Sequence, residues 1–101
     1  MYKESIKWYN KALTKNAKDS ETYVNRGTVF MVLKEYKKAA KDSRKAIKLN
    51  KKECLAFYNL SGSFFLRGKD KKAMKYCETA LKLCPKNKDI QILINRIKAE
   101  I

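Results

Sequence analysis

The residues that most suggest chemistry are two glycines and a lysine in the stretch YNLSGSFFLRGKDKKA, at residues 58–73. Gly62, Gly68 and Lys69 resemble a glycine-rich loop, in which backbone N–H groups and a lysine hold the phosphates of a nucleotide. Such a loop needs four residues between its glycines and Ser or Thr after the lysine, whereas five residues intervene here and Asp70 follows. No strand-like run precedes the stretch. We therefore predict no nucleotide site and no cofactor.

Other arrangements of catalytic or metal-binding side chains are also missing from the sequence. It contains no His, the commonest general base, and its few carboxylates stand isolated among lysines. Cys54, Cys77 and Cys84 are odd in number and show no paired spacing, which argues against a metal site and indicates a reducing compartment. We expect a protein that is not an enzyme and that resides in the cytoplasm or the nucleus.

The composition favours one helical domain with a large excess of positive charge. The chain has 101 residues with three Gly and one Pro, which suits helices better than hairpins of strands. Its 25 basic and 10 acidic residues give a net charge of +15. Such a charge would attract an acidic protein, nucleic acid or an anionic surface as a partner. An ordinary solvated face is the simpler interpretation. We expect no signal peptide and no membrane span, because the start is amphipathic and the apolar runs are short.

The sequence repeats itself with a period of 34 residues. This shift places large apolar residues on large ones and small residues on small ones: Tyr23 on Phe57, Phe30 on Phe64, Ala39 on Ala73 and Ala46 on Ala80. Within each unit the apolar residues lie three, four or seven apart, which is the spacing of helices. The pattern predicts six helices, at residues 2–14, 20–33, 36–49, 54–67, 70–83 and 88–100.

Four residues explain how these helices begin, end and approach each other. Ser20 is the predicted N-cap of the second helix. Gly68 is expected to end the fourth helix in a left-handed conformation, and Pro85 is expected to stop the fifth. Gly62 lies inside the fourth helix, where the missing side chain lets a neighbouring helix come close. The stretch that looked like a phosphate loop is thus predicted to be a helix–turn–helix.

The repeat resembles the tetratricopeptide repeat, whose first helix reads Trp-x2-Leu-Gly-x2-Tyr and whose second reads Ala-x3-Phe, with a later Ala and a closing Pro. The second unit matches at large, small and closing positions: Phe57, Leu60, Ser61, Phe64, Ala73, Cys77, Ala80 and Pro85. The first unit departs from the pattern at Arg26, Ser43 and Lys51, where Leu, Phe and Pro are usual. The resemblance implies an all-α helical-hairpin solenoid, a right-handed superhelix of about six antiparallel helices.

The resemblance also divides the chain into units. Residues 1–101 are predicted to form a single domain, with a half repeat at 2–14, repeats at 20–53 and 54–87, and a capping helix at 88–101. The first helix then has no preceding partner, and an open end of a repeat array leaves a face bare. We expect this exposed helix to offer a surface for self-association.

Tetratricopeptide arrays are mostly scaffolds, so the resemblance implies an adaptor, similar to a co-chaperone, that holds a peptide segment of another protein in a concave groove. The predicted groove residues lie off the packing stripes of the first helices: Val24, Asn25, Thr28, Leu55, Tyr58, Asn59 and Phe65. Asn25 and Asn59 are expected to hold the peptide backbone, because an amide both donates and accepts hydrogen bonds.

The family's best-known groove chemistry is a carboxylate clamp for the Glu-Glu-Val-Asp tails of heat-shock chaperones. It uses Lys and Asn from one first helix, Asn from the next, and Lys and Arg from a third. With Asn25 as the central Asn, the basic pair is replaced by Leu55 and Asn59. With Asn59 as the central Asn, the pair is replaced by Asp89 and Leu93. We predict an incomplete clamp that does not bind such tails.

The alternative function is attraction of nucleic acid or an anionic surface to the convex side. The residues that predict it lie on the outer faces of the second helices: Lys37, Lys38, Lys41, Lys45, Lys71, Lys72 and Lys75. Binding of this kind weakens steeply as the salt concentration rises. Because few aromatic residues accompany these lysines for base stacking, we rank this alternative below a protein partner.

Overall fold

Six α-helices joined by short turns make up the chain. The computed structural model describes all 101 residues. It contains α1 (Tyr2–Lys15), α2 (Ser20–Val32), α3 (Tyr36–Leu49), α4 (Cys54–Leu66), α5 (Asp70–Leu83) and α6 (Lys88–Glu100). The predicted all-α fold is confirmed, and each predicted helix end lies within one residue of the observed end. None of the helices combines the length and apolar character that crossing a bilayer requires.

The helices form two layers, and neighbouring helices lie closer together in one layer than in the other. Helices α2 and α3 pack as one antiparallel hairpin, and α4 and α5 pack as the next. Helices α2, α4 and α6 approach each other in that order, whereas no Cα atoms of α1, α3 and α5 lie within 8 Å of one another. The layer of α2, α4 and α6 is therefore the inner, concave side, and the splayed α1, α3 and α5 form the convex side.

Small residues at repeated positions bring the helices together. Ala39, Ala46, Ala73 and Ala80 have no exposed surface, and each stands where its repeat needs a short side chain. Larger side chains fill the main core between α4, α5 and α6, where Leu60, Phe64, Ile90, Leu93, Ile94 and Ile97 are buried. The periodic pattern thus identified the surfaces on which the hairpins stack.

Both hairpins turn through the same backbone arrangement. Gly68 has φ +77°, and the N–H groups of Gly68 and Lys69 donate to the carbonyl oxygens of Phe65 and Phe64. This is a Schellman motif, so the predicted left-handed end of α4 is confirmed. In the first hairpin Lys34 takes the equivalent place with φ +62°, although it carries a side chain.

Of the two other predicted helix boundaries, the end of α5 is confirmed and the N-cap of α2 is wrong. Helix α5 ends at Leu83, two residues before Pro85, as expected from the missing N–H of proline. Ser20 is not the N-cap of α2. Asp19 has that role, because its carboxylate accepts hydrogen bonds from the Thr22 backbone N–H and hydroxyl at 3.4 and 2.9 Å.

A disulfide joins the two ends of the second hairpin. Cys54 begins α4 and Cys84 follows α5, and their Cα atoms lie 6.1 Å apart across a sequence separation of 30 residues. Cys77 stays a free, buried thiol, and burial raises its pKa. The sequence expectation of unpaired cysteines in a reducing compartment is therefore wrong about the pairing, because the two residues meet only once the hairpin has folded.

Arg26 links three helices where the family pattern has leucine. Its guanidinium donates two hydrogen bonds to the Asp42 carboxylate, at 2.8 and 2.7 Å, and a third to the Asn10 side-chain oxygen at 2.9 Å. The hydrogen bond to Asp42 raises the pKa of Arg26. The second repeat has Leu60 and Tyr76 at the positions of Arg26 and Asp42, and there Leu60 is a buried core residue and Tyr76 packs against the same core.

Candidate functional site

The concave side contains a cavity of about 230 Å³ between α2, α4 and α6. Most of its lining residues are apolar, and they come from all three helices: Thr28, Met31, Val32, Tyr58, Asn59, Gly62, Phe65, Leu66, Leu93 and Arg96. We call this cavity and the exposed inner faces beside it the inner groove.

Gly62 makes room at the centre of the inner groove. A Cβ atom added there would lie 3.1 Å from the terminal methyl of Met31, which is the flexible end of a side chain. The sequence predicted that the missing side chain of Gly62 lets a neighbouring helix come close. In the structure, the Met31 side chain of α2 packs against Gly62. The floor of the inner groove is therefore apolar, and the flexible Met31 side chain allows it to adapt its shape.

Charged and aromatic side chains meet at the α6 edge of the inner groove. The Arg96 guanidinium lies 5.4 Å from the centre of the Phe65 ring. Burial raises the pKa of the Tyr58 phenol, and the negative charge of nearby Asp89 raises it further. This edge therefore presents an apolar platform with one positive and one negative group, both on α6.

The structure brings together some of the predicted groove residues and separates others. Thr28, Tyr58, Asn59 and Phe65 all line the cavity. Asn25 and Leu55 are exposed but do not line it. Val24 is only 4% exposed and packs in the core with Ala46 and Ala56, so it is a structural residue rather than a contact surface.

Asn59 has a structural partner inside the protein. Its side-chain amide donates to the Val24 carbonyl oxygen at 3.3 Å and to the Thr28 hydroxyl at 3.0 Å. Both N–H groups are then used between α4 and α2, and the side chain is buried. The sequence predicted that Asn59 holds a peptide backbone. The side-chain amide nitrogen is not free to do so, because it donates to Val24 and Thr28.

Two groove residues that the sequence analysis missed occupy equivalent positions. Val32 and Leu66 stand 34 residues apart, each at the end of an inner helix, and they are 50% and 49% exposed. The predicted groove residues of α2 and α4 did not include these two positions, which are the last residues of their helices. The signal was present, because the same apolar character recurs at both positions of the repeat.

Comparison with known proteins decides the family. A family model described as "Tetratricopeptide repeat" matches residues 20–53 and 56–87, which is more than half of the chain. The chain belongs to the tetratricopeptide repeat family. A comparison with curated protein sequences finds no significant match.

Solved structures of other tetratricopeptide repeat (TPR) domains superimpose closely on this one. The Arabidopsis OM64 TPR domain is 25% identical, with a TM-score of 0.95 over 99% of this chain and 83% of that one. The first TPR of Spaghetti (RPAP3), bound to the HSP90 peptide SRMEEVD, is 25% identical, with a TM-score of 0.92 over 98% and 79%. The second TPR domain of human RPAP3, in complex with the HSP70 peptide SGPTIEEVD, is 27% identical, with a TM-score of 0.88 over 96% and 81%.

The convex side of this TPR domain carries most of the positive charge. All seven lysines of the predicted polyanion face, on α3 and α5, are exposed. Only two ion pairs occur in the molecule, Arg26–Asp42 and Lys38–Glu35, although the chain has 25 basic residues. The positive charge of the convex face is therefore almost entirely uncompensated.

Proposed function

We propose that this TPR domain is a scaffold or adaptor that holds an apolar peptide segment of a partner protein in the inner groove. The observation that carries the proposal is the placement of exposed aliphatic side chains. Val32, Leu55, Leu66 and Ile92 are each at least 42% exposed, and all four stand on the inner helices. Exposed apolar residues gathered on one face mark a contact surface.

The helical register supports a continuous apolar surface. Leu55, Tyr58, Gly62 and Phe65 follow each other at intervals of three or four residues, so they share one face of α4. The TPR domains of RPAP3 that superimpose on this chain hold peptides of seven and nine residues, as their sequences show. A short linear segment is therefore the form of ligand that we propose here.

The chemistry of the proposed ligand differs from that of the chaperone tails. The position of a clamp Lys is occupied by Asp89, whose carboxylate would repel the acidic residues of such a tail. Asn59, the other central residue of a clamp, uses its amide within the protein. We predict that the peptide SRMEEVD binds this domain with a Kd weaker than about 1 mM, measured by isothermal titration calorimetry. A Kd in the micromolar range would contradict the incomplete clamp.

The experiment that tests the inner groove begins with selection of peptides from a random display library on the intact domain. We expect selected peptides to carry at least one large apolar residue. Val32→Ser combined with Leu66→Ser should weaken their binding about tenfold, because two exposed aliphatic contacts are lost. Circular dichroism should show unchanged helix content, since neither residue belongs to the core.

A matched control removes similarly exposed apolar residues away from the groove. Trp8→Ser combined with Leu83→Ser alters residues that are 71% and 37% exposed and do not line the cavity. This variant should bind the selected peptides as the unaltered domain does. Equal losses in the two variants, or a library that yields no binders, would reject the inner groove as the binding site.

A role without catalysis and a cytoplasmic or nuclear location belong to the same proposal. The TPR fold supports the first by analogy with its family, because its stacked helical hairpins build an extended concave binding surface. The Cys54–Cys84 disulfide opposes the second, since disulfides are rare in reducing compartments. Cells should be lysed directly into denaturant that contains an alkylating reagent and no reductant, so that a buried thiol such as Cys77 also reacts. Modification of all three cysteines would support the cytoplasm or nucleus, whereas protection of Cys54 and Cys84 would place the protein in an oxidising compartment.

A further inference from the structure

The convex side contains a second concavity, of about 590 Å³, between α1 and α3. No Cα atoms of these two helices lie within 8 Å of each other, so α2 is partly exposed between them and forms the floor. Ile6, Phe30 and Leu33 contribute apolar side chains to its lining, and lysines of α1 and α3 also line it. We call this concavity the outer trough.

The rim of the outer trough is positively charged after its ion pairs are taken into account. Arg26 is paired with Asp42 at 2.7 Å, and Lys38 is paired with Glu35 at 3.0 Å. Both acidic residues of the lining are thereby neutralised. Lys3, Lys7 and Lys41 also line the trough and have no acidic partner, so an acidic ligand would meet three uncompensated charges.

The second repeat explains why the trough is open. Tyr76 stands 34 residues after Asp42, and its ring stacks on Phe64 with centroids 5.7 Å apart and an interplanar angle of 11°. Phe64 is consequently only 4% exposed. Phe30, its counterpart in the first repeat, is only half-buried, because Asp42 supplies no ring to cover it. The open ring of Phe30 is therefore a feature of the first repeat, since the second repeat covers the equivalent ring of Phe64 with Tyr76.

We propose that the outer trough is a second docking site, separate from the inner groove, for an acidic segment of another protein that inserts one apolar side chain between the lysines. Charge complementarity selects the acidic segment, and the apolar floor selects the inserted side chain. A polyanion without apolar groups would leave Ile6, Phe30 and Leu33 unused.

The aromatic rings of the convex side argue for protein rather than nucleic acid. Base stacking needs an open ring face. The Phe30 ring already has Arg26 and Lys38 within 5.9 and 5.6 Å of its centre. Cations likewise surround Phe64, which is also stacked on Tyr76. Bases would have to displace these cations, whereas an aliphatic side chain needs only the gap beside the ring.

The test uses a fluorescein-labelled probe, a short peptide of Glu and Asp with one central Leu, and measures fluorescence anisotropy at low and physiological salt. A matched peptide has Ser in place of Leu. We expect the Leu peptide to bind about tenfold more tightly than the Ser peptide, because only the former buries apolar surface. Equal affinities of the Leu and Ser peptides would overturn the proposal, because they would show that charge alone accounts for the binding.

Two pairs of charge variants locate the binding. Lys3→Gln with Lys7→Gln removes charge from the trough, and Lys71→Gln with Lys75→Gln removes the same charge from α5. We expect the first variant to weaken binding of the Leu peptide about fivefold and the second by less than about twofold. Equal losses would overturn the proposal, because they would show attraction to the whole basic surface.

A third variant fills the trough without changing the net charge. Arg26→Leu with Asp42→Tyr removes one positive and one negative side chain and introduces the residue types found at Leu60 and Tyr76. We expect it to keep its helix content and to lose the tenfold preference for the Leu peptide. Retention of that preference in the folded variant would overturn the proposal. The lysine pairs decide the matter independently if this variant does not fold.

Nucleic acid and anionic membrane, the other candidate ligands of the outer trough, are tested directly by titration. An oligonucleotide of thymidines and vesicles containing phosphatidylserine are titrated against the unaltered domain, the Lys3→Gln, Lys7→Gln variant and the Lys71→Gln, Lys75→Gln variant. If either ligand binds more tightly than the Leu peptide and depends on the same two lysines, the trough belongs to nucleic acid or to membrane, and the proposal fails. Weaker binding that both lysine pairs affect equally would agree with it.

Discussion

At the scale of single residues, the link of Arg26 to Asp42 shows how a departure from the family pattern is accommodated. The Asp42 side chain is 5% exposed and that of Arg26 is 21% exposed. Removing one partner of such a pair leaves the other partly buried without a counter-charge. We therefore expect Asp42→Ala to lower the free energy of unfolding by about 2 to 3 kcal/mol, measured by urea denaturation.

The double change Arg26→Leu with Asp42→Tyr provides the comparison for that prediction. It should be less destabilising than Asp42→Ala alone, because it replaces the ion pair with the apolar residue types that pack in the core of the second repeat as Leu60 and Tyr76. A double variant that is less stable than the single one would mean that the first repeat cannot accept the packing of the second.

Lys34 is the second residue whose conformation makes a clear prediction. It adopts φ +62°, a left-handed conformation that costs about 1 kcal/mol for a residue with a side chain. Lys34→Gly should therefore raise the free energy of unfolding by roughly 0.5 to 1 kcal/mol. Thermal denaturation followed by circular dichroism would detect the change.

Gly68 supplies the control, because it ends α4 through the same motif. Apart from its own residue and its two chain neighbours, no atom lies within 4 Å of a Cβ placed there, so Gly68→Ala changes mainly the backbone energy. We expect it to destabilise by about 1 kcal/mol. A stabilising effect of Gly68→Ala would show that the left-handed turn does not limit stability at either position.

At the scale of elements, the disulfide makes α4 and α5 a covalently closed hairpin. A bond that closes 30 residues reduces the entropy of the unfolded chain. We expect reduction to lower the free energy of unfolding by about 3 to 4 kcal/mol in this chain-entropy account. Urea denaturation with and without a phosphine reductant would measure it, and a Cys77→Ser variant would keep the free thiol from exchanging with the bond.

The elements also show where sequence reasoning succeeded. Periodicity and the 34-residue repeat predicted all six helices, because those signals report which faces are buried. Gly68 and Pro85 act through backbone geometry, which depends on the residue itself, and both predictions were confirmed. Local and repeated information was therefore enough to predict the fold.

The remaining features depend on contacts between distant residues. Cys54 meets Cys84 only after a hairpin has formed, and Asn59 finds its partners on α2, up to 35 residues away in sequence. Val24 lies on the inner helix but turns into the core beside Ala56. A single sequence carries no direct signal for such contacts, so the residues of the candidate groove were predicted less well than the helices that support them.

At the scale of the whole molecule, charge repulsion opposes the compact state. A net charge of +15 with only two ion pairs means that the folded chain holds many like charges close together. Because dissolved salt screens these charges, we expect the melting temperature to rise between about 10 and 150 mM sodium chloride. Sodium sulfate would be a poor choice for this test, since it also strengthens apolar burial.

The same charge affects the self-association predicted for α1. Trp8 is 71% exposed and Tyr2 is 47% exposed, so the helix offers apolar contacts to a second copy. Two copies would also repel each other. We therefore expect association through this surface to strengthen with sodium chloride and to weaken in Trp8→Ala, measured by sedimentation velocity. A salt-dependent dimer that Trp8→Ala leaves unchanged would assign the contact elsewhere.

The closed second hairpin also determines how the chain behaves under tension. If the two termini are pulled apart, force passes through the bond between Cys54 and Cys84 and bypasses the residues between them. The fully extended chain should then be shorter by about 100 Å than its reduced form, from 30 residues at roughly 3.6 Å each. In an optical trap the oxidised domain would lengthen in smaller steps, while the main lining of the inner groove on α4 remained inside a loop that bears no load.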